Sequence, residues 1–316
     1  MKAQILTATF FTVLAGPLPA VDQVLLNLVN PDAKVLAGVN VQQAKGTLFG
    51  QYVLNQIQSN NQDMQQLIAL TGFDPTRDVN ETLVATTGVK NTGLALARGD
   101  FDIAKITAAA GLKGAVTESY KGVTILEDPK QTHGLTFVDS TTAVAGDLAS
   151  VKGAIDRQKN PQPLPSSVTV KINDLSTTQD AWALCTVPPS SIAPPPAAPQ
   201  GQIPPAFQSV QSANGGVKFG TNVVFTGQAL TDTAQNATTL ADMLKLLISL
   251  AQMNANQNQQ AAQLAQQVQV STSGNVVTAT LSLPEDQFQQ LVKLGQHNGA
   301  SPARAHRALR STSPAK

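Results

Sequence analysis

Residues 267–283 read QVQVSTSGNVVTATLSL, two alternating apolar and polar runs around Ser273-Gly274-Asn275. Alternation puts every second side chain on one face of a strand, and so short a link joins only antiparallel neighbours. The pattern recurs along the chain. ETLVATTGV and TGLALARGDF read as two strands joined by KNTG, and VKFGTNVVFTGQAL as a long strand or hairpin. GVTIL, GLTFV and TAVAG add three short strands, and Val35 to Val41 alternates imperfectly before a helix. So many local pairings commit the chain to antiparallel sheet, against a parallel βαβ arrangement.

Helical spacing fills the gaps between these strands. Leu48, Phe49, Tyr52, Val53 and Ile57 share one face, as do Met64, Leu67 and Ile68, and Gly72 and Pro75 are expected to end the second helix. A helix from Asp102 to Ala110 is expected to stop at Gly111, and another runs from Leu148 to about Arg157. The clearest seam joins Leu230, Ala234, Ala237, Ala241, Leu244, Ile248 and Ala251 in alternating steps of four and three, widened by Leu240 and Leu247. Such a helix covers a sheet or pairs with its copy in a homodimer. The Gln/Asn-rich stretch 254–267 continues or loosens it, and PEDQFQQLVKL starts a last helix with Pro284 in its first turn.

These patterns predict an α+β fold of mainly antiparallel sheets with helices packed on one face, in two related halves. NPQPLPSS, with three prolines in eight residues, separates a first half (21–160) from a second (161–295). VTVKI and the strand-like DAWALCTV follow it, then a Pro-rich loop at 187–205, expected to be extended and exposed. Residues 296–316 form a small, basic tail expected to be disordered.

Three strand exits share one local grammar: GVNVQQAK from Gly38, GDFDIAK from Gly99 and GDLASVK from Gly146. Each carries a glycine where the backbone turns and reaches a Lys on the incoming helix. Asp100, Asp102 and Asp147 are candidates to cap or favour a helix N-terminus. The second exit contains Arg98-Gly99-Asp100, which as a motif would mark a cell-adhesion ligand. In this grammar Arg98 is simply the residue before a recurring turn, and the adhesion reading is set aside.

Chemistry is sparse. Charged residues are 13% of the chain, against about 25% in ordinary domains, while Asn and Gln number 50 and the net charge is +1. That balance offers no field to steer nucleic acid or an acidic membrane, and 4% aromatics supply few stacking platforms. Dinucleotide, P-loop, nucleophile-elbow and zincin motifs are absent from the sequence. Its one Ser-x-x-Lys, Ser313 to Lys316, lies in the tail. His133, His297 and His306 are too scattered for zinc, and Cys185, the single cysteine, reads as a small hydrophobe in a strand. Asp100 with Asp102, Glu127 with Asp128, and Glu285 with Asp286 are carboxylate pairs explained by turns and helix starts. A calcium site would need more oxygens than they offer. NET at Asn80 and NAT at Asn236 match the glycosylation acceptor pattern, but nothing else points to a eukaryotic secretory route. No catalytic, cofactor-binding or metal-ligating residue is assigned.

The first residues, MKAQILTATFFTVLAGPLPAVDQ, give one Lys, an apolar run, then small residues and prolines, the order of a secretory signal peptide (1–20). Cleavage is expected after Ala15 or Ala20, and the apolar run is shorter than the ~20 residues of a membrane span. No stable membrane anchor is therefore expected after cleavage. The succession GFDPTRDVNETLVAT, LALARGDFDIAKI, YKGVTILE, TAVAGDLASVKGAIDR and QVQVSTSGNVVTATLSLPEDQFQQLV resembles exported bacterial proteins of unknown function over about 30–295. The resemblance implies an α+β architecture of related halves and export, and carries over no active site. The expectation is a non-enzymatic interaction or scaffolding module of the cell envelope, periplasmic or extracellular, whose partner is an envelope protein or itself. The alternatives are a ligand-binding protein or hydrolase-like enzyme with an unfamiliar site, and a homodimer built on the 230–251 helix.

Overall fold

Alternation is realised as one continuous sheet. The computed structural model describes residues 21–59, 62–192, 205–253 and 259–289. The expected signal peptide, most of the Pro-rich loop and the basic tail lie outside the described residues. The chain opens with α1 (Gln23–Leu28), β1 (Val35–Asn40), α2 (Val41–Lys45), α3 (Leu48–Ser59), α4 (Gln62–Thr71) and α5 (Pro75–Asp78). Next come β2 (Val79–Thr86), β3 (Leu94–Gly99), α6 (Ile103–Leu112), β4 (Val116–Tyr120), β5 (Val123–Glu127), β6 (His133–Asp139), β7 (Thr142–Asp147) and α7 (Leu148–Lys159). The second half holds α8 (Ser166–Thr178), β8 (Ala181–Cys185), α9 (Pro205–Gln208), β9 (Val210–Lys218) and β10 (Asn222–Thr231). It closes with α10 (Ala234–Met253), α11 (Gln259–Gln267), β11 (Val268–Ser273) and β12 (Val276–Pro284).

Among the described residues, twelve strands form a single sheet in the order β11-β12-β10-β9-β8-β1-β2-β3-β7-β6-β5-β4. Every pairing is antiparallel. Both halves share a connectivity. Three strands lie side by side in chain order, a helical excursion follows, and a meander returns so that its last strand pairs with the third. The first strands of the halves, β1 and β8, pair with each other, so no sheet edge separates the two.

Register decides which face each helix covers, because paired residues point to the same side. Leu36 pairs with Leu184, and Leu83, Leu96, Ile125 and Val144 belong to the same core. That face is covered by α1, α7 and α8 through Leu25, Leu28, Val151, Ile155, Ile172 and Leu175. Followed outward, the same face turns polar, through Asn214, Gln228 and Thr278. The opposite side of those outer strands carries Ala229 and Val277, and there α10 buries Ala237, Leu240 and Ala241. The α+β class and antiparallel sheet stand as expected, but the helices expected on one face occupy both. The apolar positions change parity within the second half, between β8 and the outer strands, and each helix follows its own strip.

Several local expectations are corrected. Pro75 does not end a helix but starts one: Asp74 caps α5 by accepting from the Thr76 N–H at 2.9 Å, and Pro at N1 loses no bond. Gly72 does end α4, with φ +70°. The stop for α6 is Gly114, at φ +83°, while Gly111 lies inside the helix. Leu230 belongs to β10, so the long seam starts at Ala234. Pro284 ends β12, and the helical residues 285–289 follow it. VTVKI lies in α8 despite its β-branched residues, because Ile172 and Leu175 fall on the core face. β4 has no counterpart in the sequence reading, because VTESY buries none of its residues. Gly38 is within β1, not at its exit, and a Cβ there would meet the Trp182 ring at 2.6 Å.

Candidate functional site

The turn at Arg98-Gly99-Asp100 is structural in each residue. Arg98 Nε meets Asp22 Oδ2 at 2.7 Å, and its Nη1 donates to Thr141 Oγ1 at 2.8 Å and to Thr142 Oγ1. Gly99 allows close backbone approach, since a Cβ there would lie 2.3 Å from the Asp78 carbonyl oxygen. Asp100 caps no helix, contrary to expectation, and its N–H donates to the Asp78 carbonyl at 2.9 Å. Asp102 is the cap of α6, accepting from the Lys105 N–H at 3.1 Å and pairing with Lys105 Nζ at 2.9 Å. The Lys105 contacts hold the Asp102 carboxyl below its ordinary range. Asp147 caps α7 through the Ser150 N–H and ties it to β3 through the Gly93 N–H, at 3.0 and 2.9 Å. Burial pushes its carboxyl up, but those donors outweigh the push and leave it low.

Three caps escaped the sequence reading: Asp22 for α1, Asn40 for α2 and Asp74 for α5. Their signal is an Asp or Asn directly before a short helix, recognisable only once the helix is known. Asp100 and Asp102 do line a concavity of about 520 Å³ with Arg77, Asp78 and Lys105. Four of the five charges there are paired, Arg77 with Asp78 and Lys105 with Asp102, leaving Asp100 outside any ion pair among the described residues, and both cations are 66% exposed. Water screens such pairs, and the hollow is an open bend.

One carboxyl at this end of the sheet is unusual. Glu81 lies opposite Arg98 across β2 and β3, and its two oxygens share one long bond from the Asp22 N–H, at 3.3 and 3.2 Å. Burial raises its carboxyl to about 7, against the lowering pull of that N–H and of Arg98.

The densest chemistry lies elsewhere, between α7 and the β4–β5 hairpin. The hairpin turns on Lys121 and Gly122, both left-handed at φ 50° and 82°. Lys152 pairs with Glu118 at 2.8 Å, and Lys121 with Asp156 at 2.5 Å. Tyr120 lies between them, under both ammonium groups at 5.3 and 5.5 Å, and donates to Asp156 Oδ2 at 3.2 Å. A hydrogen bond between Glu118 and Glu127 raises Glu127 and lowers Glu118, with burial adding to the rise at Glu127. A carboxyl pair of unequal acidity is the raw material of acid–base catalysis. Glu127, however, is only 4% exposed, which keeps a substrate from it. Of these residues the sequence offers Glu127, as half of a carboxylate pair, and Lys152, as the Lys of GDLASVK; Glu118 and Tyr120 join them only through the hairpin register and the pitch of α7. The reading of Asp128 as turn chemistry holds: it accepts from the Thr132 and His133 N–H groups at 2.6 and 2.7 Å.

Cys185 ends β8, half-buried, with Sγ 3.2 Å from the Val187 carbonyl oxygen. His133 is exposed, at the start of β6. Among the described residues no group of three or more His, Cys, Asp or Glu is placed to hold a metal ion. No described helix is long and apolar enough to cross a membrane.

These features define a class by architecture: a single antiparallel sheet of two like-connected halves, with helices on both faces. Solved structures share it. Crystal form III of TP0453 superposes with a TM-score of 0.58 at 10% identity, covering 85% of this chain and 97% of that chain. Crystal form I gives 0.54 at 9% identity, covering 85% and 96%. At such identity the likeness is one of fold alone. No protein-family model and no curated protein matches the sequence.

Proposed function

We propose that this chain is an exported interaction or scaffolding protein of the cell envelope, periplasmic or extracellular, working without catalysis. The observation that carries this reading is the outer half of α10. Its inner half is held by Ala237, Leu240 and Ala241 on the sheet. Beyond them Leu246, Leu247, Leu250 and Met253 are 58, 50, 45 and 79% exposed. Covering a leucine of this kind is worth about 1.5–3 kcal/mol, so a contiguous strip is a reason for a partner to bind. The pairing of the acids with neighbouring cations or helix N–H groups supports a role for them in the fold rather than in turnover. The resemblance to exported bacterial proteins and the order of residues 1–20 support export.

A homodimer through the same strip is the second reading, favoured by its position on one helix. A photo-crosslinker at Met253, in protein with and without Leu246, Leu247 and Leu250 changed to Ser, tests both. A crosslink to one defined envelope protein, lost in the triple variant, supports the first reading. A crosslink to a second copy, with a doubled mass by light scattering, supports the dimer. Crosslinks unchanged by the triple variant refute both. N-terminal sequencing from a fractionated host tests export, and an intact Met1 in the cytoplasmic fraction refutes it.

A further inference from the structure

Arg157 is a buried cation without a counter-charge. The residue is 9% exposed, and its Nε donates to the Leu28 carbonyl at the end of α1, at 2.9 Å. Among the described residues no carboxylate forms an ion pair with it, and no acceptor binds Nη1 or Nη2. Asp156, its chain neighbour, supplies only a distant attraction that burial outweighs. Neither Nη1 nor Nη2 is sealed from solvent, so the two outer nitrogens of this largely buried group are open to a charged ligand.

The surroundings are shaped for that group. Gly153 is one turn before Arg157, inside α7, where glycine costs about 1 kcal/mol relative to alanine. A Cβ there would lie 3.1 Å from Nη1 and 3.6 Å from Nη2, so the glycine makes room for the guanidinium. Both residues line a concavity of about 420 Å³ completed by Lys121, Asp156, Lys159, Asn160 and Gln162, and Arg157 also borders a second of about 230 Å³ with Asn30 and Asp147, which Gly153 does not reach. Lys121 occupies a left-handed turn position, at φ 50°, where Asn or Gly is the usual choice. Its Nζ meets Asp156, and its carbonyl accepts from Lys159 Nζ at 2.5 Å, which holds a second ammonium at the rim. Three cations face one carboxylate, and that carboxylate is already paired.

We infer that this concavity binds the phosphate group of a small phosphomonoester, with Arg157 as the buried fork and Lys159 and Lys121 at the rim. A doubly charged oxyanion balances the surplus of two positive charges, and its oxygens match the two free nitrogens of the guanidinium. The volume leaves room beyond the phosphate for the organic part, against Asn160 and Gln162.

The test uses the full chain and two probes, inorganic phosphate and glycerol 3-phosphate, titrated at constant ionic strength and followed by phosphorus-31 NMR and calorimetry. Saturable binding of both is expected, tighter for the ester. Arg157→Met should weaken it at least about tenfold, the loss expected from charge-assisted hydrogen bonds. Because that variant also loses the bond to Leu28, Gly153→Ala is the companion. It favours the helix, so it should fold at least as well, yet it displaces the guanidinium and should weaken binding. Binding unchanged in Gly153→Ala and Arg157→Met, or no binding of either probe by the wild type above the level seen with chloride, overturns the inference.

Discussion

Replacing Glu81 by Gln should stabilise the protein above neutral pH. The Glu81 carboxyl is raised by burial from 4.5 to about 7 in the folded chain. A raised carboxyl means that the folded state holds its proton more tightly than the unfolded state does. The associated stability is therefore complete below pH ~4.5, declines as pH rises toward ~7, and is absent above that. The full displacement corresponds to ~3 kcal/mol, and partial access of water to this half-buried site brings the expectation to roughly 1–3 kcal/mol. Gln keeps an oxygen to accept from the Asp22 N–H and removes the charge, giving up only the attraction of Arg98. Urea unfolding followed through Trp182, the single tryptophan, measures the effect. At pH 8 Glu81→Gln should be more stable than wild type by that amount, and near pH 4.5 the two should agree within about 0.5 kcal/mol. A variant less stable than wild type at pH 8, or a difference constant across pH, would refute the reasoning.

Other substitutions probe the turns and the sheet. Gly38→Ala forces a methyl group into the Trp182 ring, and should cost about 1–3 kcal/mol with a change in tryptophan emission. In the Arg-Gly-Asp tripeptide, Gly99→Ala should lower the melting temperature by colliding with the Asp78 carbonyl, whereas Asp100→Ala should leave it within experimental error. Cell attachment to immobilised protein, measured for Asp100→Ala, should match wild type; a loss would restore the adhesion reading. Asp102→Ala removes the cap of α6 and should lower the midpoint of urea unfolding.

The local pieces were legible because they depend on neighbours in sequence. The β2–β3, β9–β10 and β11–β12 hairpins follow from alternation and short links, and Asp102 and Asp147 from acids placed before apolar helix starts. VTESY was invisible as a strand because an edge strand need bury nothing, and VTVKI misled because its β-branched residues favour strand until a core face draws Ile172 inward. The carboxyl pair, and Arg157 over Gly153, left no signal at all. Their members stand on separate elements, or are one helical turn apart among ordinary surface residues.

By itself the sequence determined that this chain would form antiparallel hairpins with helices between them, since pairing across a short link needs nothing distant. Tertiary structure decided that both halves enter one sheet through β1 and β8, and that α10 lies on the face opposite to α1, α7 and α8. It also decided which charges lose their water. Side-chain parity along each strand is a local quantity. The face that parity selects, and the cation it leaves buried beneath α7, depend on residues more than a hundred positions apart.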